Sequence, residues 1–484
     1  MDNSPQAPDI TWKQLQKIDR DNIEAFKLSL IDNPDPLFCE TVLRIIPGKR
    51  LVTLANWADR DVVVKLFYEP GKANAHFERE LNGINALNFY NVPTPKLLWK
   101  GSAQKNKIQV LIFELIQDSL SLHDIWQRKK NIEEVMPLMR AVTIELATQH
   151  VSGIEQSDLH LKNFLITQKQ IYTLDGGSII QHEGVLTKEQ SLNHLALFFS
   201  QLGVGTDNLR QELFKVYAEA RGWQIKTADT DYLHDAIEQW MVKRWERFSK
   251  KIQRSSTDFV RRDQFTSLIM YDRAYHSPAF QEFLKNPEAV FQNPESKILK
   301  AGRSSTVVQF RLDNRQLVVK RYNMKNLFHR LRRCLRKTRA EYSWTMAQRL
   351  RLFCVPTARP IAFIEKHFLG FRGKSYFVME AIDAPHVGEY FSPFRSDNDN
   401  FVLVAERVMQ LIKNLTQINL THGDLKKTNI LIKNDYPVLI DLDGMTEHFS
   451  KFRLNRAYHK ELKRFMKNWD SQPTVKAVFE KLIE

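Results

Sequence analysis

The clearest pattern along the chain is a stretch of apolar residues at helical spacing that occurs twice. The first stretch, FERELNGINALNFYNVPTP, begins at Phe77, and the second, AEYSWTMAQRLRLFCVPTARP, begins at Ala340. Both place apolar side chains three and four residues apart and stop at a Val-Pro pair, which predicts an amphipathic helix that ends at a turn. Glu78 and Glu341 occupy equivalent positions near the start of the two helices, 263 residues apart.

An apolar run of β-type sequence precedes each predicted helix and contains a lysine. These runs are RDVVVKLF, with Lys65, and RQLVVKRY, with Lys320. Because successive side chains of a strand alternate between its faces, such a lysine can project into a cleft. Taken alone, either lysine is more simply explained as an edge-strand residue, but the shared order of lysine and glutamate favours a common role.

A second matched block follows each helix. In SDLHLKNFLITQKQIYTLDGG an aspartate is followed by an asparagine and a second aspartate, and GDLKKTNILIKNDYPVLIDLDG repeats this order. The two aspartates are 17 residues apart in both copies. The two sets are Asp158, Asn163 and Asp175, and Asp424, Asn429 and Asp441. Five residues of matching type, in the order Lys, Glu, Asp, Asn and Asp, occur twice and indicate an internal repeat.

These residue types are the ones that phosphoryl transfer from ATP requires. A lysine holds the α- and β-phosphates, a carboxylate orients that lysine, an aspartate accepts the proton of the attacking hydroxyl, and an asparagine and a second aspartate hold Mg2+. We therefore expect catalytic roles for Asp424, Asp158 and Lys426. The expected nucleotide-binding residues are Lys320, Glu341, Lys65, Glu78, Gly302 and Ser304, and the expected metal ligands are Asn429, Asp441, Asn163 and Asp175.

The two copies are not equally complete. The second reads HGDLKKTN and carries His422, which could brace the loop or be a core histidine, and Asp443, which could assist the metal or cap a turn. The first copy has Gln156 in place of the histidine and His160 in place of the loop lysine. The candidate phosphate loop around Gly302 lacks a G-x-G-x-x-G pattern, and a hairpin turn explains it equally well. We expect the second copy to perform the chemistry.

Composition bears on the partner and the compartment. The 484 residues carry a formal net charge of +15, 43% of them are hydrophobic, and three are cysteines. Cysteines this few, without metal-ligand spacing, predict a reducing cytosol, and the apolar runs are shorter than a membrane span needs. The cluster KNLFHRLRRCLRKTR, Lys325–Arg339, predicts a basic helix that contacts an anionic membrane or a polyanionic substrate, although a solvated helix face is the simpler explanation.

At these motifs the sequence resembles the bacterial lipopolysaccharide core kinases, the Kdo and heptose kinase family. The resemblance lies in VVKRY, YFVMEAI, HGDLKKTNILI, LIDLDG and HKELKRFMKNW of the second copy, and in FEREL, NVPTPKLL, VLIFELI, SDLHLKNFLI and NHLALFFSQL of the first. It implies an ATP- and Mg2+-dependent kinase in the bacterial cytoplasm. Such an enzyme would act at the inner face of the inner membrane and phosphorylate a heptose or Kdo of the lipopolysaccharide inner core. We expect no nucleic-acid partner, since no helix-turn-helix, zinc or RNP signature occurs.

The expected fold class is α+β, with two tandem bilobal protein-kinase-like domains, each with a β-rich N-lobe and a helical C-lobe. Residues 186–285 read as mostly helical and are assigned to the first domain, so the expected domains are 1–285 and 286–484. Two other functions stay open. One is a protein Ser/Thr or Tyr kinase, against which the lack of an A-P-E element after Asp441 argues. The other is a non-catalytic scaffold, which predicts the loss of at least one of the five residues.

Overall fold

The computed structural model describes residues 7–20, 23–129, 131–323, 337–368, 371–392 and 399–483. The chain divides into two compact units. The first contains Met1–Gln201 and Asp207–Met241, and the second contains Leu202–Thr206 and Val242–Glu484. Antiparallel sheets and helices occur in both units, which confirms the α+β class. Most of the basic cluster Lys325–Arg339 lies outside the described residues.

The first unit is built on a six-stranded antiparallel sheet with the strand order β1-β2-β3-β4-β6-β5. Its strands are β1 (Phe26–Leu28), β2 (Leu37–Ile46), β3 (Arg50–Trp57), β4 (Arg60–Phe67), β5 (Leu97–Ala103) and β6 (Ile108–Glu114). In β4, the predicted lysine-bearing strand, Val62, Val64 and Leu66 are fully buried. The alternation of a strand therefore places Lys65 on the opposite face.

Helix α2 (Ala73–Phe89) is the predicted amphipathic helix of the first copy; α1 (Trp12–Lys17) precedes it. Phe77, Leu81 and Ile84 recur at helical spacing and pack with Phe67 of β4 and Phe113 of β6. Each of these large apolar side chains contributes roughly 1.5–3 kcal/mol by its burial. This packing fixes which face of α2 is turned to the sheet.

The rest of the first unit is mainly helical, as its sequence predicts. Its helices are α3 (Leu122–Arg128), α4 (Met136–Val151), α5 (Lys188–Phe199), α6 (Asp207–Ala220) and α7 (Thr227–Lys251), and the division between the units falls within α7. Short strands complete it: β7 (Leu120–Ser121), β8 (Ile154–Gln156), β9 (Phe164–Ile166), β10 (Ile171–Thr173) and β11 (Ile179–Gln181). Thr187 begins α5 with a capping box, in which its hydroxyl accepts from the backbone of Gln190.

The second unit contains a seven-stranded antiparallel sheet with the order β12-β13-β17-β18-β16-β15-β14. Its strands are β12 (Phe259–Gln264), β13 (Ser267–Asp272), β14 (Lys297–Ala301), β15 (Ser305–Leu312), β16 (Arg315–Tyr322), β17 (Pro360–Phe368) and β18 (Phe371–Glu380). Strand β16 is the predicted strand of Lys320, which pairs with Val307 of β15 and Phe377 of β18. The lysine therefore lies inside the sheet and not at its edge.

Helices and short strands complete the second unit. The helices are α8 (Pro278–Lys285), α9 (Ala289–Gln292), α10 (Arg339–Leu352), α11 (Val387–Tyr390), α12 (Asp399–Gln417), α13 (Lys451–Lys467) and α14 (Pro473–Lys481). The short strands are β19 (Leu420–Thr421), β20 (Ile430–Lys433), β21 (Tyr436–Leu439) and β22 (Thr446–Glu447). Phe391, Phe465, Trp469 and Phe479 form an aromatic core between α13 and α14, in which Trp469 and Phe479 stack and the other rings meet edge to face.

The division between the units differs from the boundary that the sequence suggests. Residues 242–285 belong to the second unit, whereas the predicted domains were 1–285 and 286–484. Within the segment expected to be helical, β12 and β13 form a hairpin, and Ile269 of β13 pairs with Ile364 of β17. Strand β17, the pairing partner of β13, is remote in sequence, so the local spacing of apolar residues in this segment could not predict the hairpin. None of the described helices combines the length and apolar composition needed to cross a membrane.

Candidate active site

The predicted catalytic loop of the second unit is held by hydrogen bonds on both sides. His422 is fully buried, and its Nε2 lies 3.0 Å from the backbone oxygen of Ile440, directly before Asp441. The Glu461 carboxylate of α13 accepts hydrogen bonds from the backbone N–H groups of His422 and Gly423. Gly423 has φ +77°, and a Cβ there would lie 2.0 Å from the Gly444 oxygen, so only glycine fits. His422 is both a core histidine and a brace of the loop.

Asp424 and Asn429 are brought together as predicted. The Nδ2 group of Asn429 donates to the Asp424 backbone oxygen at 2.8 Å, and the Asn429 backbone oxygen accepts from Ile440 N at 3.0 Å. The Asp424 carboxylate is half-buried and lies 2.9 Å from Lys426 Nζ and 3.3 Å from the Arg464 guanidinium. Two cations thus flank the predicted base, and one of them, on α13, was not expected from the sequence.

Lys320 projects towards the predicted metal ligand. Its ammonium contacts the carboxylate of Asp441 and lies 3.2 Å from Asp443 Oδ2. Burial opposes the charge of this lysine, yet electrostatic interaction with Tyr322 and with the two carboxylates holds the pKa of Lys320 above its ordinary value. Burial likewise disfavours the charge of Asp441, but the ammonium lowers the pKa of its carboxyl below the ordinary range. Asp441 is therefore ionised, as a metal ligand must be.

Glu341 does not orient Lys320 in this structure. It lies on α10 and pairs with Lys337 at 3.3 Å and with Arg372 at 3.4 Å. The predicted lysine–glutamate pair of the second copy is therefore corrected: the partners of Lys320 are the two aspartates of the following loop. The two loop carboxylates occupy the position beside the Lys320 ammonium, and Glu341 forms ion pairs with other cations instead.

The predicted phosphate loop is the turn between β14 and β15. Gly302 N donates to Ser305 O at 3.0 Å, and the backbone oxygen of Ser304 accepts from Asn323 N at 3.0 Å. These contacts close a β-hairpin, and Asn323 Nδ2 also donates to the Gly302 oxygen. The hairpin explanation of this segment is therefore confirmed, while a phosphate-binding role for it stays a prediction.

In the first unit, Lys65 has a glutamate partner, but it is not Glu78. The ammonium of Lys65 pairs with the Glu80 carboxylate, whose side chain is 2% exposed, whereas Glu78 faces solvent. Glu80 also accepts a hydrogen bond of 3.0 Å from Gly177 N. Two residues along a helix are a turn of about 200°, so Glu78 and Glu80 cannot both face the lysine.

The predicted base and metal ligands of the first unit repeat the geometry of those in the second. Asn163 Nδ2 donates to the Asp158 backbone oxygen at 2.9 Å, and Leu174 N donates to the Asn163 oxygen at 2.8 Å. Asp175 adopts the left-handed conformation with φ 67°, as Asp441 does with φ 64°. In each unit the asparagine and the second aspartate are thus set by matching backbone contacts.

A cavity of about 410 Å³ lies against these residues in the first unit. Apolar side chains line most of it, and its polar lining includes Lys65, Glu80, Asn163 and Asp175. An apolar cleft with a few convergent polar groups is the form expected of a nucleotide site. A second cavity, of about 310 Å³, is lined by Asp158 and by the basic residues Lys49, Arg50, His76 and Arg79.

In the second unit, a basic groove of about 560 Å³ opens beside the catalytic loop. It is lined by Gly423, directly before Asp424, and by four exposed cations of α13: Lys460, Lys463, Arg464 and Lys467. Arg464 Nη1 also donates to the Gly423 oxygen at 3.0 Å. We call this surface the α13 groove. A groove with this charge next to the predicted base is complementary to an anionic molecule.

The donor sets of both units fit Mg2+. An amide oxygen and a carboxylate are hard oxygen ligands, and Mg2+ is typically held by one or two such groups together with phosphate oxygens and water. Among the described residues, His, Cys, Asp and Glu form no group of three or more that could hold a metal without such additional ligands. Asn429 with Asp441, and Asn163 with Asp175, are therefore suited to a metal that arrives with a nucleotide.

Four residues of the site were missed or left undefined by sequence reasoning. Glu80, Glu461 and Arg464 were not singled out, and Asp443 had no definite role. Glu80 could have been found, because it lies three residues after Phe77 and so shares the buried face of α2. Glu461 and Arg464 follow the loop by almost forty residues, and no local spacing links them to it.

Comparison with known families agrees with this geometry. Residues 281–484 match the lipopolysaccharide kinase (Kdo/WaaP) family. The match spans Lys320 and the whole catalytic loop, and it indicates that the protein is a kinase, a phosphotransferase. No curated protein matches the chain.

Proposed function

We propose that the protein is an ATP-dependent kinase that phosphorylates a heptose or Kdo of the lipopolysaccharide inner core. The observation that carries the proposal is the convergence of Lys320, Asp424, Asn429 and Asp441 within the segment that matches the family. In the same proposal the chain contains two tandem bilobal protein-kinase-like domains. The matched backbone contacts of Asn163 and Asn429 support it.

The second unit performs the chemistry in this proposal. Asp424 takes the proton of the acceptor hydroxyl, and Lys426, 2.9 Å from it, neutralises charge on the transferred phosphoryl group. Lys320 holds the nucleotide phosphates, while Asn429 and Asp441 supply the protein ligands of the metal. Magnesium-bound ATP supplies the phosphoryl group. Arg464 fixes the Asp424 carboxylate and the loop carbonyl at once.

The acceptor binds in the α13 groove. A lipopolysaccharide inner core carries carboxylates and phosphates close to its hydroxyl groups, and Lys460, Lys463 and Lys467 offer cations in a groove that Gly423, the neighbour of Asp424, also lines. All three lysine side chains are exposed, so their ammonium groups are accessible to an anionic molecule. A neutral sugar or an uncharged peptide would gain nothing from this surface.

The enzyme acts at the cytoplasmic face of the inner membrane, where it binds peripherally. Phe449 and Phe452, 93% and 75% exposed, stand at the start of α13 among the cations Lys451, Arg453 and Arg456. Exposed aromatic rings flanked by basic side chains are the composition of an interfacial membrane contact. The Lys325–Arg339 cluster adds charge of the same sign.

The test is a comparison of two matched variants, Asp424→Asn and Asp158→Asn, with radiolabelled ATP and Mg2+. The acceptors are dephosphorylated core lipopolysaccharide, casein and no added acceptor. We expect the wild type to label lipopolysaccharide alone, Asp424→Asn to lose at least about a hundredfold in rate, and Asp158→Asn to retain more activity. Labelling of casein alone would indicate a protein kinase, and no labelling despite ATP binding would indicate a scaffold. Loss of activity in Asp158→Asn, with activity retained in Asp424→Asn, would assign the chemistry to the first unit.

A second test addresses the groove. Lys463→Glu with Lys467→Glu reverses two charges that are remote from the metal ligands. We expect a rise in KM for lipopolysaccharide of at least about tenfold and unchanged affinity for Mg-ATP by calorimetry. The matched control reverses Lys243 and Lys250 on α7. A KM that is unaffected, or equally affected by the control, would remove the acceptor site from α13.

A further inference from the structure

In the first unit, the carboxylate that holds the strand lysine comes from helix α2. One oxygen of Glu80 pairs with Lys65, and the other accepts a hydrogen bond of 3.0 Å from Gly177 N. A Cβ at position 177 would lie 2.9 Å from Glu80 Oε2. Because the Glu80 side chain is buried and bonded on both oxygens, a side chain at position 177 would push its carboxylate away from Lys65.

The second unit has changed both of these positions. The repeat places Ser343 opposite Glu80, with the offset of 263 that relates Glu78 to Glu341, and Asp443 opposite Gly177, with the offset of 266 that relates the loop aspartates. Ser343 is buried, and its Oγ is hydrogen-bonded to the hydroxyl of the strand tyrosine Tyr322 at 2.9 Å. Helix α10 therefore supplies no carboxylate at this position.

Asp443 provides the missing carboxylate from the other side. Its Oδ2 lies 3.2 Å from Lys320 Nζ and also pairs with Arg339, and the side chains of Lys320 and Asp443 are 7% and 10% exposed. Asp441 contacts the same lysine, but its carboxylate is the proposed metal ligand. A lysine that must stay in place when the metal binds needs a partner other than Asp441, and Asp443 is that partner.

We propose, on the basis of the proposed role of Lys320 in holding nucleotide phosphates, that Asp443 is the positioning residue of this lysine and replaces the helix glutamate of the first unit. The anchor has moved from the helix to the loop by a paired exchange, Glu80 with Gly177 in one unit and Ser343 with Asp443 in the other. In the second unit, the position of the lysine therefore depends on the loop and not on a helix carboxylate.

The experiment measures how fast an amine-reactive acetylating reagent labels Lys320 at one fixed pH, read by mass spectrometry on the full chain without nucleotide. Asp443→Asn keeps the shape of the side chain and removes its charge. The variant leaves the buried ammonium held by Asp441 alone, so the Lys320 side chain should leave its site more often and be labelled about tenfold faster. The matched control, Glu341→Gln, removes a helix carboxylate that pairs with other cations and should leave the rate unchanged. Asp443→Gly with Ser343→Glu rebuilds the first-unit arrangement and should restore the wild-type rate.

An unchanged rate in Asp443→Asn, an equal rise in Glu341→Gln, or failure of the rebuilt variant to restore slow labelling would each overturn the proposal. If the rebuilt variant does not fold, the reciprocal exchange in the first unit, Glu80→Ser with Gly177→Asp, tests the same relation on Lys65 and should keep its labelling slow. Labelling needs neither ATP nor acceptor. A protein that shows the Asp443 effect but phosphorylates no sugar would therefore refute the proposed function and leave the positioning role standing.

Discussion

The ion pair between Lys65 and Glu80 offers the sharpest test of how the first unit is held together. Glu80→Gln keeps the shape of the side chain and removes the charge, while Glu78→Gln makes the same change two residues earlier on the exposed face of α2. We expect Glu80→Gln to destabilise the first unit and Glu78→Gln to leave its stability unchanged. The two variants have the same composition, so any difference between them arises from position alone.

The expected magnitude follows from burial. Removing one partner of a fully buried ion pair costs about 3–5 kcal/mol. Here the Glu80 side chain is 2% exposed but that of Lys65 is 21% exposed, so water partly solvates the ammonium that is left. A glutamine oxygen can still accept from Gly177 N, which retains the second contact. We therefore expect a loss of about 2 kcal/mol, which is roughly a thirtyfold change in the local opening equilibrium.

Hydrogen exchange read by mass spectrometry measures this loss without separating the two units. Amides in peptides covering α2 and the Gly176–Ser178 turn should exchange about thirtyfold faster in Glu80→Gln. Calorimetry should also show weaker Mg-ATP binding to this unit. Equal protection in both glutamine variants, or a larger effect of Glu78→Gln, would refute the assignment of Glu80 as the lysine partner.

Two further predictions address membrane binding and pH. The double variant Phe449→Ser with Phe452→Ser should reduce cosedimentation with vesicles of phosphatidylglycerol and phosphatidylcholine at least about fivefold. The control Phe89→Ser removes a ring that is 75% exposed in the first unit and should not reduce it. Equal binding by the wild type and both variants would contradict a membrane contact at the start of α13. Burial lowers the pKa of His150 and His194 in the folded first unit. Below about pH 6.5 the unfolded chain therefore binds protons that the folded unit does not bind, so the free energy of unfolding of the first unit should fall on acidification. The expected loss is up to about 1.4 kcal/mol per histidine at pH 5.5. Thermal unfolding at pH 7.5 and 5.5 checks this, and a Tm that does not fall on acidification would contradict it.

Much of the site could be predicted because its residues lie close together in sequence. Asp424 and Asn429 are five residues apart, and the loop geometry that joins them is fixed by the hydrogen bond from the asparagine to the aspartate backbone. The same local logic located Asp158 and Asn163. Strands β4 and β16 were predicted correctly from their apolar runs, since burial of alternate residues leaves a direct trace in the sequence.

The failures have one physical cause, which is that the partner of a side chain is chosen in three dimensions. The prediction that Lys65 pairs with Glu78 used only the order of the residues along the chain. The apolar spacing of α2 instead places Glu80 on the buried face. For Lys320, no helical pattern could reveal that the carboxylate comes from Asp443, more than a hundred residues later. The β12–β13 hairpin lies in a segment that reads as helical, because its stabilising partner, β17, is equally remote.

The loss of the loop histidine in the first unit does not by itself leave that loop unsupported. Gln156 stands in place of His422, and its backbone oxygen is 2.9 Å from Nε2 of the buried His194. His194 in turn lies 2.7 Å from His150, and Gln156 Nε2 donates to Gln149 at 3.1 Å, so a polar network braces the segment before Asp158. The support has been rebuilt from α4 and α5. What differs chemically is the loop cation, because a histidine replaces Lys426 and carries a full charge only below its pKa. The case for chemistry in the second unit therefore rests on Lys426, the loop cation that contacts Asp424, and not on the order of the loop.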